Sequence, residues 1–188
     1  MDEGNERFLR LIEPEYVKAL AFARSLSRSR SEGDDLMQEA IVRALTRLAS
    51  LRDDTAFRGW LYRIVINVHR TRSRRAFWRR FLQLGDAAMD DDPQTDVADY
   101  RTANWSPEAA ESARRARDSL LRLPAEQRES IVLFEIEGWT VDEIAAVQGV
   151  STSAVKSRLA RGRTRLRAYY EKRFGADAEP SLLTGDTP

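Results

Sequence analysis

The sequence predicts an all-α protein made of two small helical domains joined by a flexible acidic linker. Glycine and proline are few, 9 and 6 among 188 residues, and residue types that favour helices dominate. Apolar residues recur at helical spacing in two long stretches, and an acid-rich stretch with little periodicity separates them. We therefore predict helical domains over residues 1–82 and 107–173, a linker over residues 83–106 and a flexible tail over residues 174–188.

Composition excludes several classes of function. The chain has no cysteine and a single histidine, His69, so a thiolate or histidine-rich metal site is excluded and a catalytic triad is disfavoured. We predict no cofactor, no metal and no enzymatic activity. No apolar run approaches the roughly 20 residues of a membrane span, and the acidic N-terminus does not resemble a signal peptide. These features predict a cytoplasmic protein.

The first domain should begin with two helices. Residues 6–28 are predicted to be helical, with Pro14 breaking or kinking the helix or starting a new one. After a polar connector at residues 27–33, an amphipathic helix is predicted over residues 34–51. Its opposite side is polar and is either solvated surface or a protein-docking face. The expected buried stripe is Leu36, Met37, Ala40, Ile41, Ala44, Leu45 and Leu48, and the polar side is Asp34, Asp35, Gln38, Glu39 and Arg43.

A third helix is predicted over residues 56–75, after an N-cap at Asp54 or Thr55. Residues 57–82 contain eight arginines and no acidic residue. The electrostatic potential around this stretch should therefore be positive throughout. Aromatic residues lie between the arginines, a combination that suits single-stranded nucleic acid because bases stack on rings while phosphates meet cations. The alternative is that Phe57 and Trp60 belong to the core and the arginines only keep the surface soluble. The residues expected to bury are Phe57, Trp60, Leu61, Ile64, Val65 and Val68, and the interleaved aromatics are Trp60, Tyr62, Phe77, Trp78 and Phe81.

The linker is unusually acidic. Residues 85–111 hold eight acidic residues against Arg101 alone. The stretch either lies on a basic groove in the manner of a nucleic-acid backbone or is a solubilising tether.

The next helix is predicted to begin after Ser106, a predicted N-cap that is followed by Pro107 at the first helical position. One helix is expected over residues 109–123 and another over residues 125–137, ending at Gly138. The residues of this helix expected to bury are Ile131, Val132, Leu133, Phe134 and Ile136.

Residues 140–167 read as two short helices around a tight turn, the pattern of a helix-turn-helix. Thr140 and Glu143 have the spacing of a capping box, Gly149 suits a positive φ at the turn, and Ser151 is a good N-cap for the second helix. That helix carries arginines and no acid up to residue 167, which is typical of a helix that reads the major groove. An ordinary helical hairpin with a charged face is the alternative.

Four stretches in this order resemble the minimal, two-domain extracytoplasmic-function class of RNA polymerase sigma factors. They are DDLMQEA at residues 34–40, FRGWLYRI at 57–64 running on to Asn67, Arg74 and Arg75, LPAEQR at 123–128, and EIA at 143–145 followed by SAVKSRL at 153–159. The resemblance covers roughly residues 8–170. Gly59 and His69 are not demanded by the pattern, and Gly59 would shift the start of the third helix if it ended a turn.

The resemblance implies partners and residue roles. The second helix would dock on the coiled coil of the polymerase β′ subunit, through Asp34, Asp35, Leu36, Gln38, Glu39 and Arg43. The third would recognise and help open the promoter −10 element, through Arg58, Trp60, Arg63, Asn67, Arg70, Arg74 and Arg75. The last helix would read the −35 element, through Ser151, Thr152, Ser153, Lys156, Ser157, Arg158 and Arg161.

Further partners follow from the same resemblance. The flanks of the helix-turn-helix would meet the polymerase β flap, and the linker would thread toward the RNA exit channel. Most members of the class are held by an anti-sigma protein, although nothing in this sequence demonstrates one.

Two other classes compete with this interpretation. A helix-turn-helix regulator with an N-terminal sensing domain explains residues 140–167 but leaves the arginine–aromatic surface of residues 57–82 without a role. A small nuclease needs clustered carboxylates for metal, and Asp90, Asp91 and Asp92 lie in the predicted linker without rigid support.

Overall fold

The computed structural model describes residues 3–83 and 106–175, and every regular element in those two ranges is helical. The first unit contains α1 (Glu3–Ile12), α2 (Tyr16–Leu26), α3 (Arg30–Arg47) and α4 (Phe57–Gln83), and the second contains α5 (Pro107–Leu121), α6 (Ala125–Ile131), α7 (Val141–Gln148) and α8 (Thr152–Phe174). The all-α prediction is confirmed. Most of the predicted linker and the tail beyond residue 175 lie outside the described residues.

In the first unit, α2, α3 and α4 pack together around Phe22, Leu36 and Leu61, all of which are buried. The break predicted at Pro14 is present, because α1 ends at Ile12 and α2 begins at Tyr16. Helices α2 and α3 approach each other closely at Gly33. A Cβ atom at that position would lie 2.6 Å from the Arg24 Cα atom, so only glycine fits there.

Helix α3 begins earlier than the sequence predicted. The helix starts at Arg30, where the Ser29 hydroxyl accepts a hydrogen bond from the Glu32 backbone N–H at 3.2 Å. The predicted connector at residues 27–33 is therefore mostly helical. At the other end the helix gives way to a 3₁₀ turn at Leu48–Ser50. Leu45 was expected in the buried stripe, but it is 41% exposed.

Helix α4 is preceded by a 3₁₀ turn over Asp54–Ala56, and the cap is Asp53, not Asp54 or Thr55. The Asp53 carboxylate accepts from the Thr55 backbone N–H at 2.9 Å. Gly59 lies inside the helix and does not end a turn. The helix also runs through Gln83, beyond the predicted end at residue 75.

In the second unit, α6 packs across α8. A Cβ atom at Gly162 of α8 would lie 2.9 Å from Ile131 Cγ1, so this crossing is also a close one. Helix α6 continues as a π-helical turn over Val132–Ile136, and Gly138 then takes a φ of 68°. Ile136 was expected to bury, but it is exposed because it lies at the end of this turn.

The two units are in contact with each other. Helix α4 packs against α7, and α2 packs against α5 and α6. Their buried apolar residues join into one cluster that includes Val65 of the first unit and Ile144 of the second.

Candidate nucleic-acid and polymerase interface

The helix-turn-helix is built as the sequence predicted. Thr140 and Glu143 form a capping box at the start of α7, and Gly149 adopts the left-handed conformation with φ 68°. The Ser151 hydroxyl then caps α8 by accepting from the Ala154 backbone N–H at 3.3 Å. Because Val155 is buried, the orientation of α8 is fixed and the opposite face of its first turns is presented outward.

Six of the seven residues predicted to read the −35 element are exposed: Ser151, Thr152, Ser153, Lys156, Ser157 and Arg161. Arg158 is the exception, with only 14% of its side chain exposed. Its Nη1 donates to Gln148 Oε1 at 2.8 Å and its Nη2 to Glu126 Oε2 at 3.0 Å. Arg158 must therefore release both partners before it can contact a base.

The residues predicted to contact the −10 element divide into two groups along α4. Asn67, Arg74 and Arg75 are exposed, and their side chains form no ion pair or hydrogen bond within residues 3–83 and 106–175. Trp60 is half-buried, with its ring 5.9 Å from that of Phe57. These residues lie on one helix, as predicted.

Three other arginines of this set contact the second unit. The Arg58 guanidinium lies 4.5 Å from the centroid of the Trp139 ring, a cation–π contact. Arg63 donates a hydrogen bond to the Ala146 carbonyl oxygen. Arg70 pairs with the carboxylate of Glu129. Part of the predicted −10 surface is thus covered by the unit predicted to read the −35 element.

Glu129 is a fully buried carboxylate at the junction of the two units, with 0% of its surface exposed. Arg70 holds it in a fork, with Nη2–Oε2 at 2.7 Å and Nε–Oε1 at 3.3 Å. Gln148 donates to Oε2 at 3.1 Å, and His69 Nδ1 lies 3.7 Å from Oε1. Burial alone would raise the pKa of Glu129, but the attraction of His69 and Arg70 outweighs it and the pKa is lowered.

Tyr62, one of the aromatic residues that lie between the arginines of residues 57–82, is also part of this junction. Its ring lies 4.8 Å from that of Trp139 and 5.0 Å from that of Phe22, and it is completely buried. Its hydroxyl donates to Glu137 Oε2 at 3.2 Å. Burial and the Glu137 carboxylate raise the pKa of Tyr62. Tyr62 is therefore a packing residue between the units and is not available for base stacking in this arrangement.

Arg128 connects the units from the other side. Its Nη1 donates to the Leu26 carbonyl at 2.7 Å, at the last residue of α2. A cation at this position complements the negative end of the helix dipole. Burial lowers the pKa of Arg128 to about 10, so it is charged near neutral pH.

The polar side of α3 is ordered by arginines. Asp34 accepts from Arg24 Nε at 2.6 Å, and Glu39 accepts from Arg72 Nε at 2.7 Å and Arg43 Nη2 at 2.5 Å. Burial would raise the pKa of Glu39, but these two arginines lower it overall.

Asp35 and Gln38 remain exposed on this side of α3, whereas Leu36 is buried in the core of the first unit. The sequence interpretation missed two residues there. Val42 is 62% exposed and Leu45 is 41% exposed. Val42 and Leu45 follow Gln38 at helical spacing and lie on the same face of α3. Val42 could have been identified from the sequence, because it is an apolar residue that lies outside the predicted buried stripe.

Each of the two units matches a known protein family. Sigma-70 region 2 matches residues 11–79, and Sigma-70, region 4 matches residues 113–166. The ECF RNA polymerase sigma factor SigM of Mycobacterium tuberculosis (strain H37Rv) is 38% identical over 144 residues, covering 77% of this chain and 67% of that protein. The RNA polymerase sigma factor CnrH of Cupriavidus metallidurans is 34% identical over 185 residues, covering 94% of this chain and 91% of that protein. The chain belongs to the extracytoplasmic-function class of the sigma-70 family.

Solved structures agree with this membership. CnrH in complex with the cytosolic domain of CnrY is 29% identical to this sigma factor, with a TM-score of 0.61 and 88% of each chain covered. The sigma factor RpoE from Bartonella quintana, solved with the anti-sigma factor NepR, has a TM-score of 0.64 over 99% of this chain and all of that chain. At 23% identity the second match shows the fold alone.

The family binds RNA polymerase, and its members are DNA-binding initiation factors and not enzymes. Among residues 3–83 and 106–175, no cluster of three or more His, Cys, Asp or Glu side chains is arranged to hold a metal ion. None of the helices in the same two ranges is long and apolar enough to cross a membrane.

Proposed function

We propose that this sigma factor binds RNA polymerase core in the cytoplasm and directs initiation by reading the −35 element with α8 and the −10 element with α4. The observation that carries the proposal is the start of α8. A turn at Gly149 presents exposed Ser, Thr and Lys side chains on a helix that has no acidic residue from Thr152 to Tyr170. Such a helix suits contacts to base edges at its start and to phosphates further along.

Promoter opening would use α4. Unstacking costs a few kcal/mol per base step, and stacking on aromatic rings returns about 1–3 kcal/mol per base. Two described tryptophans of α4 could stack on bases, Trp60, which is half-buried, and Trp78, which is 57% exposed, whereas Tyr62 is buried between the units. Asn67, Arg74 and Arg75 are exposed further along the same helix and would meet the displaced strand. Opening is then a binding equilibrium that needs no catalytic residue from this chain.

Polymerase docking would use the exposed side of α3. Asp35 and Gln38 supply polar contacts, and Val42 and Leu45 add apolar area beside them. A surface of exposed apolar residues with a polar rim has the composition of a protein interface. The set predicted from the sequence is therefore extended by these two residues.

Both solved structures hold the sigma factor in complex with a second protein, the anti-sigma factor NepR in one and the cytosolic domain of CnrY in the other. We propose that this chain also has an anti-sigma partner. A pull-down from its native cells, washed with excess polymerase core, should release such a protein; recovery of polymerase subunits alone would contradict it.

Gel filtration with polymerase core tests the docking proposal and separates a sigma factor from a helix-turn-helix regulator. The parent protein should co-elute with core. Asp35→Ala combined with Gln38→Ala should weaken core binding by about tenfold or more, since interface anchors each contribute over 1 kcal/mol. Lys18→Ala, exposed on α2, is the matched control and should bind like the parent. Equal binding by the double variant would exclude this face as the docking site.

A further inference from the structure

The side chain of Gln148, the last residue of α7, uses its full hydrogen-bonding capacity. Its Nε2 donates to the Glu126 carbonyl oxygen at 3.3 Å and to Glu129 Oε2 at 3.1 Å. Its Oε1 accepts from Arg158 Nη1 at 2.8 Å and lies 3.1 Å from Ser130 Oγ, whose hydroxyl hydrogen it shares with the Glu126 carbonyl. An amide offers two donor hydrogens and two acceptor lone pairs, so each of the four has a partner. Because the side chain is only 4% exposed, losing one of these partners leaves a buried polar atom unpaired.

Arg158 connects this buried amide to α8. Its Nη1 donates to Gln148 of α7, and its Nη2 donates to Glu126 Oε2 of α6 at 3.0 Å. Arg158 lies three residues after Val155 and four before Gly162, both of which are buried, so it belongs to the packed face of α8. Apolar packing is non-directional, whereas a hydrogen bond requires a particular distance and angle. The guanidinium therefore fixes the rotation of α8 about its own axis relative to α6 and α7.

The exposed side chains proposed to read the −35 element depend on this rotation. Lys156, Ser157 and Arg161 are exposed on α8, and Arg161 Nη2 donates to Ser157 Oγ at 2.8 Å. Bases are distinguished by donors and acceptors at fixed positions in the major groove, and a supporting shell that is about 1 Å too loose is enough to spoil such a site. A base contact by Arg158 itself would leave the buried Gln148 oxygen without its guanidinium.

We propose that Arg158 is a positioning residue for −35 recognition, which acts through Gln148 and Glu126 to set the orientation of α8 and does not itself contact a base. The inference rests on the proposed function, because it takes α8 as the helix that reads duplex DNA. It departs from the sequence interpretation, which placed Arg158 among the residues that read the −35 element. Selectivity resides in the exposed side chains, and the buried arginine determines how they are presented.

Competition binding with the holoenzyme tests the proposal. The two duplexes are a promoter selected with that holoenzyme and the same promoter with a scrambled −35 element, and selectivity is the ratio of the two dissociation constants. Arg158→Ala should lower selectivity by about tenfold or more, the effect expected when hydrogen bonds of a charged group are lost. Its affinity for the scrambled duplex should stay within about twofold of the parent's, because phosphate contacts carry no sequence information.

A variant that merely weakens the fold would instead lose affinity for both duplexes alike, and that result for Arg158→Ala would overturn the proposal. Arg114→Ala is the matched control, because it also removes an arginine from an ion pair. Arg114 Nη2 lies 2.6 Å from Glu111 Oε2, and this pair lies within α5 alone. The control should keep the parent's selectivity.

Gln148→Met separates positioning from direct base reading, because the two roles predict opposite results. The substitution removes the acceptor that holds Arg158 and keeps the length of the side chain. If Arg158 positions α8, selectivity should fall about as far as in Arg158→Ala, and the double variant should be no worse than either single one. If Arg158 reads a base, its release should leave selectivity at the parent's value or raise it, and the proposal is then wrong.

Glu126→Gln gives the same test at a position where folding is not at risk, because the Glu126 side chain is 58% exposed. The variant removes the charge that pairs with Arg158 Nη2, and selectivity should fall severalfold. If the parent distinguishes the two duplexes and Glu126→Gln matches or exceeds its selectivity, the inference is wrong while the proposed function stands. If the parent itself does not distinguish them, the proposed function is wrong and the inference falls with it.

Discussion

Replacing Gly33 with alanine should destabilise the protein, although alanine is the better helix former. In an unhindered helical position the change would stabilise by up to about 1 kcal/mol. At Gly33 the added Cβ atom would lie 2.6 Å from Arg24 Cα and 2.7 Å from Arg24 Cγ. The nearer atom is backbone, so a side-chain rotation cannot relieve the clash, and α2 and α3 must move apart.

The size of the effect follows from two opposing contributions. Overpacking of this kind costs about 1–3 kcal/mol, and the short distance to a backbone atom places it toward the upper end. The helix-propensity gain offsets at most about 1 kcal/mol. We therefore expect Gly33→Ala to lower the free energy of unfolding by about 1–2 kcal/mol. Because Arg24 also holds Asp34 at 2.6 Å, the first turn of the docking face should shift as well.

Urea denaturation followed by circular dichroism measures this loss. The matched control is Gly59→Ala in α4, where the nearest atom to an added Cβ is Val147 Cγ2 at an ordinary 3.8 Å. That variant should be as stable as the parent or more stable, by up to about 1 kcal/mol. The reasoning is refuted if Gly33→Ala is as stable as Gly59→Ala.

Three further predictions concern α8, the buried carboxylate and the cap of α7. Lys156→Ala should relax sequence preference at the −35 element, whereas Arg165→Ala should weaken binding to all duplexes alike; identical binding profiles would contradict this division. Glu129→Gln should be less stable than the parent near pH 7, because the pKa of Glu129 is lowered in the folded state and its ionised carboxylate therefore stabilises the fold. The difference in stability between the two proteins should shrink below pH 4.5, the ordinary pKa of the group, because the parent loses this contribution as the carboxylate is protonated. A difference between their urea midpoints that stays the same from about pH 7 to about pH 3 would contradict the prediction. Thr140→Ala should lower the free energy of unfolding by about 1 kcal/mol in the same denaturation experiment. The control Thr152→Ala should change it by no more than about 0.5 kcal/mol. Equal losses of stability in the two variants would show that the capping box is not stabilising.

Local features of the fold were predictable because neighbouring residues determine them. The capping box at Thr140, the turn at Gly149 and the break at Pro14 depend on residues within four positions of each other. Helix ends away from the apolar residues were less predictable, although Ser29 and Glu32 at the start of α3 have the spacing of a capping box. The start of α3 at Arg30 precedes any apolar residue of the buried stripe, so the hydrophobic period could not locate it.

Contacts between the units left no trace in the sequence pattern. Arg70 and Glu129 are 59 residues apart, and Tyr62 and Glu137 are 75 residues apart. The local spacing of residues does not distinguish an arginine that contacts DNA from one that pairs with a buried carboxylate. Tyr62 illustrates the point, because an aromatic residue in a basic helix suits base stacking and domain packing equally well.

Start-site-selective transcription is the most direct test of the account. This chain, mixed with bacterial RNA polymerase core, should produce a run-off transcript of one defined length from a duplex promoter selected with that holoenzyme. Core alone should produce none of it. Variants Asn67→Ala and Arg74→Ala should recover on a promoter that carries a prepared bubble, since they act at opening. If the chain binds core but never confers a defined start site on any duplex, the central claim is contradicted.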